Sequence, residues 1–274
     1  MGMSCGVFPS GNSGILPLRC AQRQNDGEKI QQMPQKVSAV IFDAGNTLVF
    51  PRIDLIAPIL TRLGYSATVD DFYHAERIGK RKLDEWLWPL LRNGNTPRRA
   101  DYYYWTEYLR ALVERVRVPK DRQQEVGLQL AEGFKEIHIW SHVFHDTPAY
   151  LETLRRRGYL LGIVSNSLGL IESQLRRVDL VRYFEFIIDS HFVGVEKPHP
   201  EIFRLALSRC GCEPAEAVFV GDLYSTDVGG AQNAGFHGVL MDWVGAYPEA
   251  ESPRITSLPE LDSILTSLEN KARS

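Results

Sequence analysis

Four short segments of this 274-residue chain carry side chains suited to moving a phosphoryl group. In Val40-Ile41-Phe42-Asp43-Ala44-Gly45-Asn46-Thr47-Leu48 an apolar run drives into a lone carboxylate, followed by a tight turn and a hydroxyl. Leu161-Gly162-Ile163-Val164 leads to Ser165 and Asn166, and Val195-Glu196-Lys197-Pro198-His199-Pro200 supplies a cation. Val218-Phe219-Val220-Gly221-Asp222 adds a second carboxylate, with Asp227 shortly after it. Singly, each has an ordinary reading as a turn residue, a loop hydroxyl, a surface lysine or a helix cap. Jointly, they match the needs of phosphoryl transfer to an aspartate. Carboxylate attack on a phosphate dianion meets a repulsion of about 4 kcal/mol per charge pair at 4 Å and an effective dielectric of 20. A Mg²⁺ held by Asp43 and Asp222 would offset that repulsion, and Lys197 would add a fixed positive charge. Ser165 and nearby backbone amides would hold a phosphate oxygen. An aspartyl intermediate would divide one hard displacement into two easier ones.

For these groups to meet, the elements before them must share one edge of a sheet. Five apolar runs read as buried strands, at Val37 to Phe42, Tyr159 to Val164, Phe184 to Ile188, Ala217 to Val220 and Gly238 to Met241. Helical stretches follow the later ones, at Leu168 to Arg177, Glu201 to Cys210 and Asp227 to Ala234, and a last helix runs to about Leu268. This alternation predicts an α/β fold, a Rossmann-like doubly wound parallel sheet with helices on both faces. The block from Ile53 to His145 has helical periodicity and no convincing strand. It reads as an all-helical cap inserted after the first strand, with residues 37–52 and 146–274 forming the core. Its aromatic residues, among them Trp86, Trp88, Trp105 and Tyr102 to Tyr104, would pack a cap interior or line a site for an apolar body. Its basic cluster of Arg77, Lys80, Arg81 and Lys82 reads as a solvated helix face.

Composition narrows the class. A hydrophobic content of 44%, a charged content of 24% and a net charge of −3 suit a globular protein and give no reason to expect nucleic-acid or membrane partners. Cys5, Cys20, Cys210 and Cys212 fit a reduced, cytoplasmic protein better than a disulfide framework. Residues 1–36, rich in Gly, Ser, Gln and Pro, read as a disordered extension without a secretory signal.

The motifs IFDAGNTL, IVSNS, EKPHPEIF and VFVGDLYSTDVGGAQNAG, in that order, resemble those of the haloacid dehalogenase superfamily of hydrolases, in the subfamily with a helical cap after strand one. The resemblance covers about Val37 to Leu268. It implies that Asp43 is the nucleophile and a metal ligand, and that Ser165 binds the transferring group with Asn166 beside it. It further implies that Lys197 steadies both, that Asp222 is a metal ligand, and that Asp227 supports the metal directly or through water. In the family's phosphatases a second Asp usually stands two residues after the nucleophile. Its carbonyl binds the metal and its side chain acts as general acid and base. Here that residue is Gly45, which keeps the carbonyl and loses a proton shuttle worth about 10²- to 10⁴-fold. Asn46 would hold a left-handed turn, and His145 or the tyrosines 102 to 104 are candidate proton sources.

The leading expectation is therefore a Mg²⁺-dependent phosphatase of a small phosphorylated metabolite. One alternative is a metal-independent haloacid dehalogenase, whose halide needs no proton. Another is a phosphonoacetaldehyde hydrolase, which needs a cap lysine of lowered pKa, with Lys80 and Lys82 at hand. The last is a catalytically weak protein that binds a phosphorylated ligand. The substrate and the oligomeric state are not specified.

Overall fold

The computed structural model describes residues 37–97, 100–135 and 137–271. The expectation for residues 1–36 lies outside them. Strand β1 (Ala39–Phe42) is four apolar residues buried on both faces, as the middle strand of a parallel sheet requires. Strands β2 (Phe50–Pro51) and β3 (Trp140–His142) flank a helical insertion. Then come β4 (Leu160–Ser165), β5 (Phe186–Asp189), β6 (Ala217–Gly221), β7 (His237–Met241) and β8 (Arg254–Ile255). The main sheet has the order β5-β4-β1-β6-β7-β8, every pair parallel. The chain winds outward from β1 in both directions, so the strand order reverses between β1 and β6. A crevice opens there at the carboxyl ends of the strands, where such sheets bind ligands.

Helices α5 (Thr147–Arg156), α6 (Ile171–Arg177), α7 (Ser190–Val193), α8 (Pro200–Cys210), α9 (Gly230–Asn233) and α10 (Leu261–Lys271) accompany the sheet. Phe42, Ile163, Val220 and Val239 pack one face, and Ile41, Ile202, Phe203 and Phe219 the other. Local chemistry sets the helix ends. For α8, Pro200 occupies the first turn, the His199 ring accepts a hydrogen bond from the Glu201 amide, and Gly211 stops the helix at a φ of 65°.

The insertion comprises α1 (Ile53–Arg62), α2 (Val69–Arg92), α3 (Ala100–Arg115) and α4 (Gln123–Phe134). Thr68 and Asp71 form a reciprocal capping box at the start of α2. This helix packs on α3 through a second apolar core containing Phe72, Leu83, Leu87, Tyr104, Tyr108 and Leu112.

Three features depart from the sequence expectation. The block from Ile53 to His145 does contain a strand, because β3 pairs antiparallel with β2 at the stem of the insertion. Strand β8 at the sheet edge is new, and at two residues it is too short for a periodic signal. The expected helix from Asp227 begins instead as a π-helical turn over Tyr224–Gly229, with α9 following. That turn brings Asp227 so close to the end of β6 that a Cβ on Gly221 would lie 2.5 Å from its carboxyl group. Only glycine permits the approach.

Candidate active site

Asp43 leaves the end of β1 and is 7% exposed. Its amide donates to the Val220 carbonyl at 2.8 Å, so the β1–β6 pairing continues to Asp43. Lys197 comes from the segment between α7 and α8 and is fully buried. Its Nζ lies 2.6 Å from Asp43 Oδ1 and 2.8 Å from Asp227 Oδ1. Asp227 Oδ2 accepts the Leu223 amide at 2.9 Å. Oxygens of Asp43, Asp222 and Asp227 fall within 4.8 Å of one another. These residues, Gly45, Ser165 and Asn166 all line one cavity of about 880 Å³.

Asn166 does something the sequence did not suggest. Its Nδ2 donates to the Lys197 carbonyl at 2.9 Å, and its Oδ1 accepts from the Lys197 amide at 2.8 Å. The side chain grips the main chain of Lys197 and fixes where that ammonium stands. Asn46 has a φ of 52°, in the left-handed region expected of it.

The solvated reading of the α2 basic cluster is wrong for Lys80. This side chain is fully buried, with Nζ 2.9 Å from Asp222 Oδ2 and 3.4 Å from Glu76 Oε1. Glu76 is itself buried and accepts from Asn46 Nδ2 at 3.0 Å and from the Tyr104 hydroxyl at 2.7 Å. Arg77 and Arg81 reach the carbonyls of Val244 and Ala246 at 3.2 and 2.9 Å. Asp84 accepts hydrogen bonds from the Ser225 amide, at 3.1 Å, and from its hydroxyl. Positions 77, 80, 81 and 84 form one stripe of α2 at helical spacing. Lys80 and Asp84 are buried against polar partners of the core, whereas Arg77 is half-buried and Arg81 is exposed, as polarity in sequence ordinarily signals. Lys82 lies off the stripe, partly exposed and paired with Glu85.

Charges in this cluster do not balance. With all four carboxylates ionised, Asp43, Asp222, Asp227 and Glu76 against Lys197 and Lys80 would leave two negative charges in excess. Burial pushes the Asp43 carboxyl up to about 6 against the lowering pull of Lys197. Burial likewise drives Asp222 well above the usual carboxylate range, with Lys80 opposing. For both lysines burial works against the charge, but the carboxylates outweigh it. Asp227 and Asp43 raise Lys197, and Asp222 and Glu76 raise Lys80. Lys82 is also raised, by its bond to Glu85. Neither cap lysine therefore has the lowered pKa that Schiff-base chemistry needs.

Of the candidate proton sources whose side chains are described, none is placed to replace a second Asp; the Tyr102 side chain lies outside the described ones. His145 is exposed and outside the cavity lining. Tyr103 stacks on Trp86 at 4.9 Å. Tyr104 lines the cavity, but its hydroxyl is committed to Glu76, and burial followed by the Glu76 charge holds its pKa well above normal. The cap aromatics divide between the two roles open to them. Tyr104 and Trp105 reach the cavity, while Tyr108 packs in the insertion core.

A family model for haloacid dehalogenase-like hydrolases matches residues 37–235, nearly the whole span of this architecture. The chain belongs to that family. Among curated relatives, this hydrolase is 36% identical over 149 residues to haloacid dehalogenase-like hydrolase domain-containing protein 3 of Mus musculus. That match covers 53% of this chain and 58% of the relative. It is 37% identical over 100 residues to a glyceraldehyde 3-phosphate phosphatase of Methanothermobacter thermautotrophicus, covering 36% of this chain and 44% of that one. The matches thus span about half the length of these relatives. A magnesium-bound HAD-hydrolase of Bacillus subtilis shares the fold with a TM-score of 0.55 at 20% identity, covering 84% of this chain and 99% of the other. Among the described residues of this hydrolase, no helix is long and apolar enough to cross a membrane.

Proposed function

We propose that this hydrolase is a Mg²⁺-dependent phosphatase of small phosphorylated molecules, working in the cytoplasm through a phosphoaspartate at Asp43. The observation that carries the reading is the buried cluster of Asp43, Asp222 and Asp227 with its two excess negative charges. A metal-independent dehalogenase has no use for that excess, whereas a divalent cation neutralises it. Thr226 Oγ1, buried in the same cavity, has no hydrogen-bond partner among the described residues, which leaves an oxygen free for an ion or its water. Asp43, Asp222 and the Gly45 carbonyl would hold the cation, with Asp227 in support. Bound there, Mg²⁺ would supply charge neutralisation for the incoming phosphate. The phosphatase among the relatives supports the same reaction class.

In this reading the free Asp43 oxygen attacks phosphorus while Lys197 fixes the carboxylate through Oδ1. The Lys197 charge and the Ser165 hydroxyl stabilise the equatorial oxygens of the group in transit. The leaving oxygen departs with its electron pair. Water then cleaves the acyl phosphate at phosphorus and returns Asp43 as a carboxylate.

The test is phosphate release from acetyl phosphate, which needs little leaving-group help, with Mg²⁺ and with chelator. Turnover should require Mg²⁺ and fall at least about a thousandfold in Asp43→Asn, the usual scale for loss of a nucleophile. Chloride release from 2-chloropropionate that ignores chelator would replace this reading with dehalogenation.

A further inference from the structure

Above Asp43 the cavity changes character. Its wall toward the insertion is Trp105, Leu109 and Val113 from α3, Leu128 and Phe134 from α4, and Trp140. Two cations stand at the rim, and both are already engaged. Arg110 pairs with Glu107 and Glu114, and Lys135 with Glu132. Of the amides that line the cavity, Gln123 donates to the Val118 carbonyl at 3.0 Å, and Gln124 and Gln174 line it as well, with the hydroxyl residue Thr106. A polyol or amino-acid phosphate would set hydroxyls or charges against this wall, where desolvated polar groups go unpaired at a cost. A flat apolar body would be covered by it.

The mouth repeats the pattern. Leu128 on one side is 62% exposed, and Leu168 and Leu170 on the other are 63% and 36% exposed. Single exposed leucines are ordinary, but three that line one cavity from two different segments are surface that a ligand covers.

Gly45 constrains the same substrate from the reacting end. Its backbone is not left-handed, and a Cβ there would meet only Trp140 at 3.7 Å and Asp43 Oδ2 at 4.0 Å. Neither strain nor crowding demands glycine, so the absent proton donor reflects the reaction served. A leaving group that departs well as an anion needs no donor.

Resting on the phosphatase reading above, we infer that the substrate is an aryl phosphate, the phosphate monoester of a phenol whose apolar ring system lies against Trp105, Leu109 and Trp140. Asp43 forms the new O–P bond as the P–O(aryl) bond breaks. The aryloxide keeps the electron pair and takes its proton from water outside the site. Water then attacks phosphorus, gives its proton to a phosphate oxygen or to solvent, and releases inorganic phosphate and the Asp43 carboxylate. No oxidant or second substrate enters the balance.

The experiment compares phosphate release by the full chain with Mg²⁺ from 1-naphthyl phosphate, cyclohexylmethyl phosphate, glyceraldehyde 3-phosphate and acetyl phosphate. Naphthyl phosphate should exceed glyceraldehyde 3-phosphate in kcat/KM by at least about tenfold, the low end for a lost apolar contact. Cyclohexylmethyl phosphate should bind as a competitor yet turn over about 10²- to 10⁴-fold more slowly, because its alkoxide needs the missing proton. Leu109→Asn, and Leu128→Gln at an exposed site that folding does not depend on, should each lower the naphthyl-to-acetyl ratio of kcat/KM, Leu109→Asn by about tenfold. Three outcomes overturn the aryl assignment while leaving the phosphatase reading in place. They are glyceraldehyde 3-phosphate at or above naphthyl phosphate, equal turnover of the two apolar esters, and a ratio unmoved in both variants. Silence on all four, acetyl phosphate included, removes the phosphatase reading itself.

Discussion

The site has two buried lysines, one from each part of the molecule, and each holds two carboxylates. Lys197 of the core sits 2.6 and 2.8 Å from Asp43 and Asp227, and Lys80 of the insertion sits 2.9 and 3.4 Å from Asp222 and Glu76. They are placed by different means. Lys197 belongs to a loop whose main chain is gripped at both polar ends by Asn166. Lys80 has no such clamp and depends on where one face of α2 lies on the core. The core half of the site is thus fixed by strand ends and a backbone clasp, the insertion half by docking of a helix. In the reading above, chemistry belongs to the first half and closure and shape to the second.

The sharpest way to probe that division is to give the core the donor that the insertion does not provide. Gly45→Asp has room at its Cβ, and turnover of cyclohexylmethyl phosphate should rise by about 10²- to 10⁴-fold. No gain would mean that a group outside the core already serves as acid. Next comes the pair of lysines. Lys197→Met should cut kcat by about 10²- to 10³-fold, as loss of one fixed charge at a reacting group does. Lys80→Met should act chiefly on stability, costing about 3–5 kcal/mol by urea titration, because it leaves Asp222 and Glu76 buried without their cation, a cost that Lys197→Met shares through Asp43 and Asp227 in addition to its loss of turnover. Adding Glu76→Gln to Lys80→Met should recover part of that cost. If both lysine variants lose turnover equally per folded molecule, the two halves are not separable.

The smallest effect is on pH. Burial raises the Asp84 carboxyl from 3.8 to about 6 against its hydrogen bonds from Ser225. The folded chain therefore keeps a proton that the unfolded chain has lost across that window. Stability from this group is present below pH 3.8 and falls as pH rises to about 6, by up to about 3 kcal/mol. Asp84→Asn should reduce that slope in urea midpoints measured from pH 4 to 7, leaving the share that the similarly raised Asp43 contributes.

The same contrast governs how far the structure can be read from sequence. A buried parallel strand must be a continuous apolar run, so a polar residue at its end stands out, and Asp43, Ser165 and Asp222 were visible for that reason. Lys197 and Asp227 were visible through motif order. The two-residue β8 carries too little pattern, and the π-helical turn at Tyr224–Gly229 differs from a helix only in how it lets Asp227 approach Gly221. Lys80 was misread because polarity was taken for exposure. A signal did exist, since Glu76 through Asp84 places Arg77, Lys80, Arg81 and Asp84 along a single helix face. Yet a solvated face and one docked on carboxylates read alike until the partner surface is known.

That stripe has a consequence for traffic. Separating α2 from the core would break the contacts of Lys80 with Asp222, of Asp84 with Ser225, and of Arg77 and Arg81 with the Val244 and Ala246 carbonyls together, whereas α4 and the segment after β4 line the cavity with the exposed Leu128 and Leu168. In the reading above, an apolar substrate would reach the site past those leucines while the side where α2 docks stays bolted.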